Sequence, residues 1–139
     1  MHYRKFGNTD WQVSEIGLGT WQLGADWGNI DDATAEKVLA AAVGSGVNFF
    51  DTADCYGVGL SETRLGNFFK NSSEKVYIAT KLGRYPTPGG LENFSIQQFR
   101  EHTENPLIGL GLIVSISLKF IAHLLKLFNK GKCLIGYVF

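Results

Sequence analysis

The sequence predicts an α/β protein of the (β/α)8 barrel class, cut down to an N-terminal hairpin and the first three β/α units. Three observations lead there. Short apolar segments alternate with helical stretches, and each strand starts about 30 residues after the last, the size of a βαβ unit. The strands are continuously apolar, as parallel strands covered by helices are. Polar residues gather just past the strand ends, at Thr20, Asp51, Tyr56 and Lys81, which is the end where barrel enzymes carry their sites. An open doubly wound sheet satisfies the first two observations. However, Gly17-Leu18-Gly19 and Gly57-Val58-Gly59 both lack the third glycine of the dinucleotide fingerprint.

Taken in order, Tyr3-Arg4-Lys5 and Gln12-Val13-Ser14 flank Gly7-Asn8-Thr9-Asp10 and read as a β-hairpin. The apolar strand Glu15–Trp21 runs into a glycine-containing loop. Asp31-Asp32 opens a helix with acids at its positive end. Ala35, Val38, Leu39, Ala42 and Val43 then form one apolar face, and Gly44 and Gly46 stop it. Val47-Asn48-Phe49-Phe50 is a strand ending on Asp51. A second helix begins near Ser61-Glu62 and is expected to bury Leu65, Phe68 and Phe69. Val76–Thr80 is a third strand ending on Lys81. Ser95 with Gln98 is a capping-box start for a third helix, with Phe99 on its inner face.

Composition narrows the function classes. Net charge is zero over 139 residues, so no bulk field points to nucleic acid or an anionic membrane. Two cysteines without a CxxC pair or a Cys/His cluster fit a reducing compartment and give no metal site. The first residues lack the apolar core of a signal peptide, so the expected location is cytoplasmic. The average hides a split. Residues 1–105 hold 9 Lys and Arg against 13 Asp and Glu, while 106–139 hold four lysines and no acid. The chain therefore divides into a body, 1–105, and an apolar, basic tail, 106–139.

Three ionisable groups end consecutive strands: Asp51, Tyr56 shortly after it, and Lys81. Side chains at the ends of neighbouring parallel strands, about 4.8 Å apart, can meet. A lysine beside a phenol favours the phenolate by opposite-charge attraction, and an aspartate on its other side keeps the lysine charged and fixed. That makes a tyrosine able to give a proton to a carbonyl oxygen. Singly, each residue has a plain reading as a loop cap, a rim residue or a solvated lysine. Together, at the ends of barrel strands, they point to carbonyl reduction.

The wording of the chain carries more. Ile16-Gly17-Leu18-Gly19-Thr20-Trp21, Asn48-Phe49-Phe50-Asp51-Thr52-Ala53-Asp54-Cys55-Tyr56-Gly57, Ser61-Glu62, Leu65-Gly66 and Ile78-Ala79-Thr80-Lys81 resemble the aldo-keto reductase family, from about Tyr3 to Glu104. The resemblance implies an NADPH-dependent oxidoreductase reducing a small aldehyde or ketone, with Tyr56 as proton donor, Lys81 tuning it and Asp51 paired with Lys81. It implies that Gly19, Thr20 and Trp21 line the cofactor pocket, with Asp51 near the ribose. Trp21 would also line the substrate pocket, and Trp27 would sit on the substrate loop. The family binds its cofactor without a Rossmann domain, in keeping with the missing fingerprint.

The tail departs from the family. The family's fourth catalytic residue is a histidine ending the fourth strand, within an Ile-Asp-Leu…His pattern. The tail offers only His123, in Ile121-Ala122-His123-Leu124-Leu125, and no role is expected for it. Barrel structure is a poor fit to the tail for want of an acidic strand. Its uncharged stretch is short of the roughly 20 residues that cross a membrane, and an amphipathic membrane segment is the competing reading. Regrouping the possible codons one base earlier, from the Asn105/Pro106 junction, permits a string containing IDLLKIH. At Phe120/Ile121 only His or Tyr is allowed. The tail is therefore read as family sequence out of frame after about residue 105. The adenosine end of the cofactor is held by later family strands, so the chain as it stands is expected to be inactive. The alternative is a non-catalytic remnant or membrane-associated fragment.

Overall fold

The computed structural model describes residues 1–81, residues 83, 93, 95 and 97 beyond them, and the backbone of 114–116. Of the expected third helix, Ser95 and the helical residue 97 are described, while Gln98 and Phe99 lie outside the described residues.

A two-stranded antiparallel hairpin comes first, β1 (Tyr3–Lys5) and β2 (Gln12–Ser14), with Tyr3 opposite Ser14. Next come β3 (Leu18–Gly19), a 3-10 turn (Trp21–Gly24), α1 (Asp32–Gly44), β4 (Phe49–Asp51), α2 (Leu60–Phe69) and β5 (Tyr77–Thr80). Among the described residues a further strand, β6 (Val114–Ile116), extends this to a four-stranded sheet in the order β3-β4-β5-β6, every pair parallel. A doubly wound sheet of the dinucleotide-binding order reverses after its third strand. Among the described residues the fourth strand of the sheet continues outward, as in a barrel segment.

The sequence explains the helices. Asp31 caps α1, its carboxylate accepting from the Thr34 N–H at 2.7 Å. Hydrogen bonds from the Thr34 side chain, then from its main chain, hold the Asp31 carboxyl below its ordinary value. The chain leaves α1 through Gly46 at φ +88°. Ala35 and Leu39 are buried as expected, whereas Val38 is 39% exposed. Its place on the apolar face is thus corrected: Ala35 and Leu39, four residues apart, define a narrower stripe than the sequence suggested. In α2, Leu65 and Phe69 are buried, and Phe68 packs at the margin of the core.

Side-chain alternation gives the sheet two faces. Phe50 and Ile78, paired across β4 and β5, face the helices and are fully buried with Leu39 and Leu65. Burying each such side chain stabilises the fold by about 1.5–3 kcal/mol. Phe69 meets Phe50 edge-on, centroids 5.1 Å apart. The opposite face carries Phe49 and Tyr77, and here the hairpin acts as a plug. Phe6 packs on Phe49 at 5.8 Å, and Trp11 stacks on Tyr77 at 5.0 Å. Asn48 fastens the plug, accepting from the Ser14 N–H at 2.7 Å and donating to the Gln12 carbonyl at 2.9 Å. The plug lies at the strand N-termini and leaves the C-terminal end of the same face, with Asp51, open.

The expectation that the tail fits barrel structure poorly is corrected at one place, since β6 falls inside it. Strand pairing is made by main-chain groups and favours apolar, β-branched residues without requiring an acid. Ile113-Val114-Ser115-Ile116 supplies them, and Val114, Ser115 and Ile116 pair with Ile78, Ala79 and Thr80.

Candidate active site

Asp51 is the last residue of β4, and Lys81 directly follows β5, so parallel pairing sets their side chains side by side. Lys81 Nζ bonds Asp51 Oδ1 and donates to the Thr52 carbonyl at 2.9 Å. The same ammonium lies 3.4 Å from the Tyr56 hydroxyl and 5.3 Å from its ring centroid. The Lys81 and Asp51 side chains are 36% and 44% exposed, so the cluster opens to solvent. The structure therefore brings together all three ionisable residues singled out from the sequence. It places a phenol within reach of a cation that a carboxylate and a carbonyl immobilise.

Tyr56 is delivered by a left-handed turn. Gly57, Val58 and Gly59 have φ of +59°, +57° and +85°, and Gly59 caps α2 without a side-chain bond. Gly57 also meets the 3-10 turn at very close range: a Cβ on Gly57 would lie 2.0 Å from the Gly24 carbonyl oxygen. Only two glycines permit this approach. Trp21, which opens the 3-10 turn, stacks on Tyr56 with centroids 5.6 Å apart and planes 16° apart. Trp27 packs on Trp21 at 4.9 Å and is 65% exposed.

The other expected lining residues divide. Space beside Gly19 is open, with nothing within 4 Å of where a Cβ would stand. Thr20 is fully buried. Its hydroxyl donates to the Asp51 carbonyl at 3.0 Å and accepts from Ser61 at 2.9 Å. The Thr20 side chain thus joins sheet to helix, and its main-chain N–H and carbonyl are engaged by Asp51, Leu23 and Ser61.

Four positioning residues escaped the sequence reading. Ser61 Oγ accepts from Thr52 at 3.0 Å and reaches the Thr20 carbonyl at 2.8 Å. Glu62 accepts from Thr80 at 2.6 Å. The first turn of α2 is thereby pinned to β3, β4 and β5 at their C-terminal ends. A hydroxyl and an acid at a helix start look like capping groups, which concealed this role. Arg64, whose side chain is 9% exposed, donates to Asp32 and to the Leu23 and Ile30 carbonyls at 2.6 and 2.8 Å, closing the base of the 21–30 loop. Asp26 Oδ2 accepts from the Trp21 indole at 2.8 Å and from the Gly57 N–H at 3.2 Å. Nothing in their sequence spacing marks Arg64 or Asp26, because their partners are mostly main-chain groups far along the chain.

A sequence profile of the Aldo/keto reductase family matches residues 15–106. The chain belongs to the aldo/keto reductase family. Members of this family are oxidoreductases. The uncharacterized oxidoreductase YrpG of Bacillus subtilis (strain 168) is 34% identical over 119 residues, covering 77% of this chain and 36% of that protein. Pyridoxal 4-dehydrogenase of Microbacterium luteolum is 38% identical over 84 residues, covering 60% and 25% respectively. Among solved structures, the aldo-keto reductase AKR11C1 from Bacillus halodurans (holo form) superimposes with a TM-score of 0.67 at 26% identity, over 84% of this chain and 40% of that one. The aldo/keto reductase chain thus spans between 25% and 36% of the length of these curated relatives. Among the described residues no helix is long and apolar enough to cross a membrane, and no group of His, Cys, Asp or Glu could hold a metal ion.

Proposed function

We propose that the reductase to which these strands belong reduces an aldehyde or ketone to an alcohol, with NADPH as hydride source and Tyr56 as proton donor. The observation that carries this reading is the Lys81 ammonium, fixed by Asp51 and 3.4 Å from the Tyr56 hydroxyl. When the carbonyl oxygen gains electrons, the Tyr56 O–H gives it a proton, and the resulting phenolate stands beside a cation already in place. Such electrostatic preorganisation costs no rearrangement during the reaction. Asp51 holds the lysine, and the Thr52 carbonyl holds it from a second side.

The residues present fit the nicotinamide and ribose end of the cofactor. Open space lies beside Gly19, Trp21 offers a flat wall, and the half-exposed Asp51 supplies a hydroxyl acceptor. The bound cofactor would supply the hydride. The diphosphate end lacks partners here: the described residues after β3, β4 and β5 (20–31, 52–60 and 81) hold one cation, Lys81, already paired with Asp51. We infer that the 139-residue chain turns over negligibly. The tail, 106–139, is family sequence displaced by one base, and the shifted reading restores a strand ending in histidine over the codons that here encode β6.

The test is NADPH oxidation with a simple aldehyde, by this chain and by the product with the frame restored between the codons for Glu104 and Leu107. Turnover is expected from the restored product alone, falling by about 10²–10⁴ in Tyr56→Phe, the range typical of a lost general acid. Activity in the 139-residue chain would refute its inactivity. A restored product indifferent to Tyr56→Phe would remove the tyrosine from the mechanism.

A further inference from the structure

The loop spanning residues 21–30 carries both exposed tryptophans and is closed at its base by Arg64, which leaves open what fixes its inner end against Tyr56. Beside the Trp21–Tyr56 stack, two contacts among the described residues bear on this. One is the steric contact of Gly24 with Gly57, which sets a distance but no orientation. The other is Asp26. One carboxylate oxygen, Oδ2, receives the Trp21 indole N–H at 2.8 Å and the Gly57 main-chain N–H at 3.2 Å. The first donor fixes the rotation of the indole. The second belongs to the residue immediately after Tyr56. Asp26 therefore holds the indole and the turn that carries Tyr56 at once, and the two rings between these anchors lie nearly parallel, 16° apart.

We propose that Asp26 is a positioning residue for Tyr56, locking Trp21 in the stacked orientation that fixes the phenol beside Lys81. It acts by accepting hydrogen bonds rather than by its charge. An amide oxygen at the same place serves as well, and an isosteric apolar side chain does not. The catalytic meaning of the lock rests on the reading of Tyr56 as proton donor. The geometric claim stands without it and is tested without turnover.

The measurement is made on the full chain by 1H–15N and 1H–13C correlation spectra. Three tryptophans give three indole N–H signals, and Trp21→Phe and Tyr56→Phe identify those of interest. In Asp26→Leu the Trp21 indole N–H is expected to exchange with solvent about fivefold faster, the weight of one ordinary hydrogen bond. The Tyr56 ring protons, shifted upfield by the stacked indole, should return toward free-tyrosine positions. Asp26→Asn should keep both signals as in the parent. Thermal midpoints of all variants are recorded alongside, because a merely structural residue would lower the midpoint and leave the Tyr56 ring shift unchanged. That outcome overturns the proposal, as does an Asp26→Asn spectrum matching that of Asp26→Leu. Failure of the tyrosine's catalytic role would appear instead in turnover of the frame-restored enzyme, with these spectra as expected.

Discussion

Replacing Gly57 by alanine separates two costs that meet at that residue. An L side chain at φ +59° pays about 1–2 kcal/mol for the left-handed conformation. Its Cβ would also stand 2.0 Å from the Gly24 oxygen and 2.7 Å from the Gly24 Cα. Both are main-chain atoms that cannot swing aside, so overpacking adds about 1–3 kcal/mol. Two other glycines isolate the parts. Gly59, at φ +85° with nothing within 4 Å, pays for conformation alone. Gly24 has no positive φ, but its Cβ would meet the Tyr56 carbonyl carbon at 2.5 Å, so it pays for the clash alone. Each change recovers about 0.4–1 kcal/mol by stiffening the unfolded chain. The net expectations are then about 0.5–1 kcal/mol for Gly59→Ala, about 0.5–2 for Gly24→Ala and about 2–4 for Gly57→Ala. Urea unfolding followed by tryptophan fluorescence, compared at equal slope, reads all three. If Gly57→Ala costs no more than Gly59→Ala, the close approach of the two loops does not exist in solution.

Three further predictions use other parts of the molecule. Val58 is a β-branched residue at φ +57° and 69% exposed, so Val58→Asn should raise stability by about 1 kcal/mol in the same urea assay, by relieving strain without losing packing. Thr80 donates to Glu62 at 2.6 Å in a buried setting. Glu62→Leu should therefore cost about 1–3 kcal/mol by orphaning the hydroxyl, and adding Thr80→Val should recover part of that loss in a double-mutant cycle. The Asp31 carboxyl is depressed below its ordinary 3.8, so ionised Asp31 favours the fold. Its contribution is present above pH 3.8 and fades as pH falls through the lower folded-state value. Asp31→Asn should keep the cap and lose this part of the acid dependence of stability.

Much of this was legible in the chain because it depends on local pattern. The hairpin, α1 with its Asp31 cap, α2 and three strands all follow from periodicity and capping within a few residues. Asp51, Tyr56 and Lys81 could be grouped because strand ends in a parallel sheet have known neighbours, and the structure brings them together. Elsewhere local pattern misled. Val38 has the spacing of a core residue but lies outside the narrow stripe that the sheet covers. The tail lacks the expected acid yet pairs at 114–116, since main-chain pairing needs apolar strand formers and not that side chain. Ser61 and Glu62 read as helix-start groups, whereas they bond to three strands.

By itself the sequence determined the order of strands and helices, the faces of most elements and the three ionisable groups of the candidate site. These depend on the period of side chains along a helix or strand and on which residues end each strand. The tertiary structure alone decided the winding of the sheet, the hairpin's place as a plug under Phe49 and Tyr77, and the lock of Asp26 and Gly24 on the Tyr56 turn. Each of those joins residues that are distant along the chain. Several run through main-chain N–H and C=O groups, which every residue carries and no side-chain pattern can distinguish.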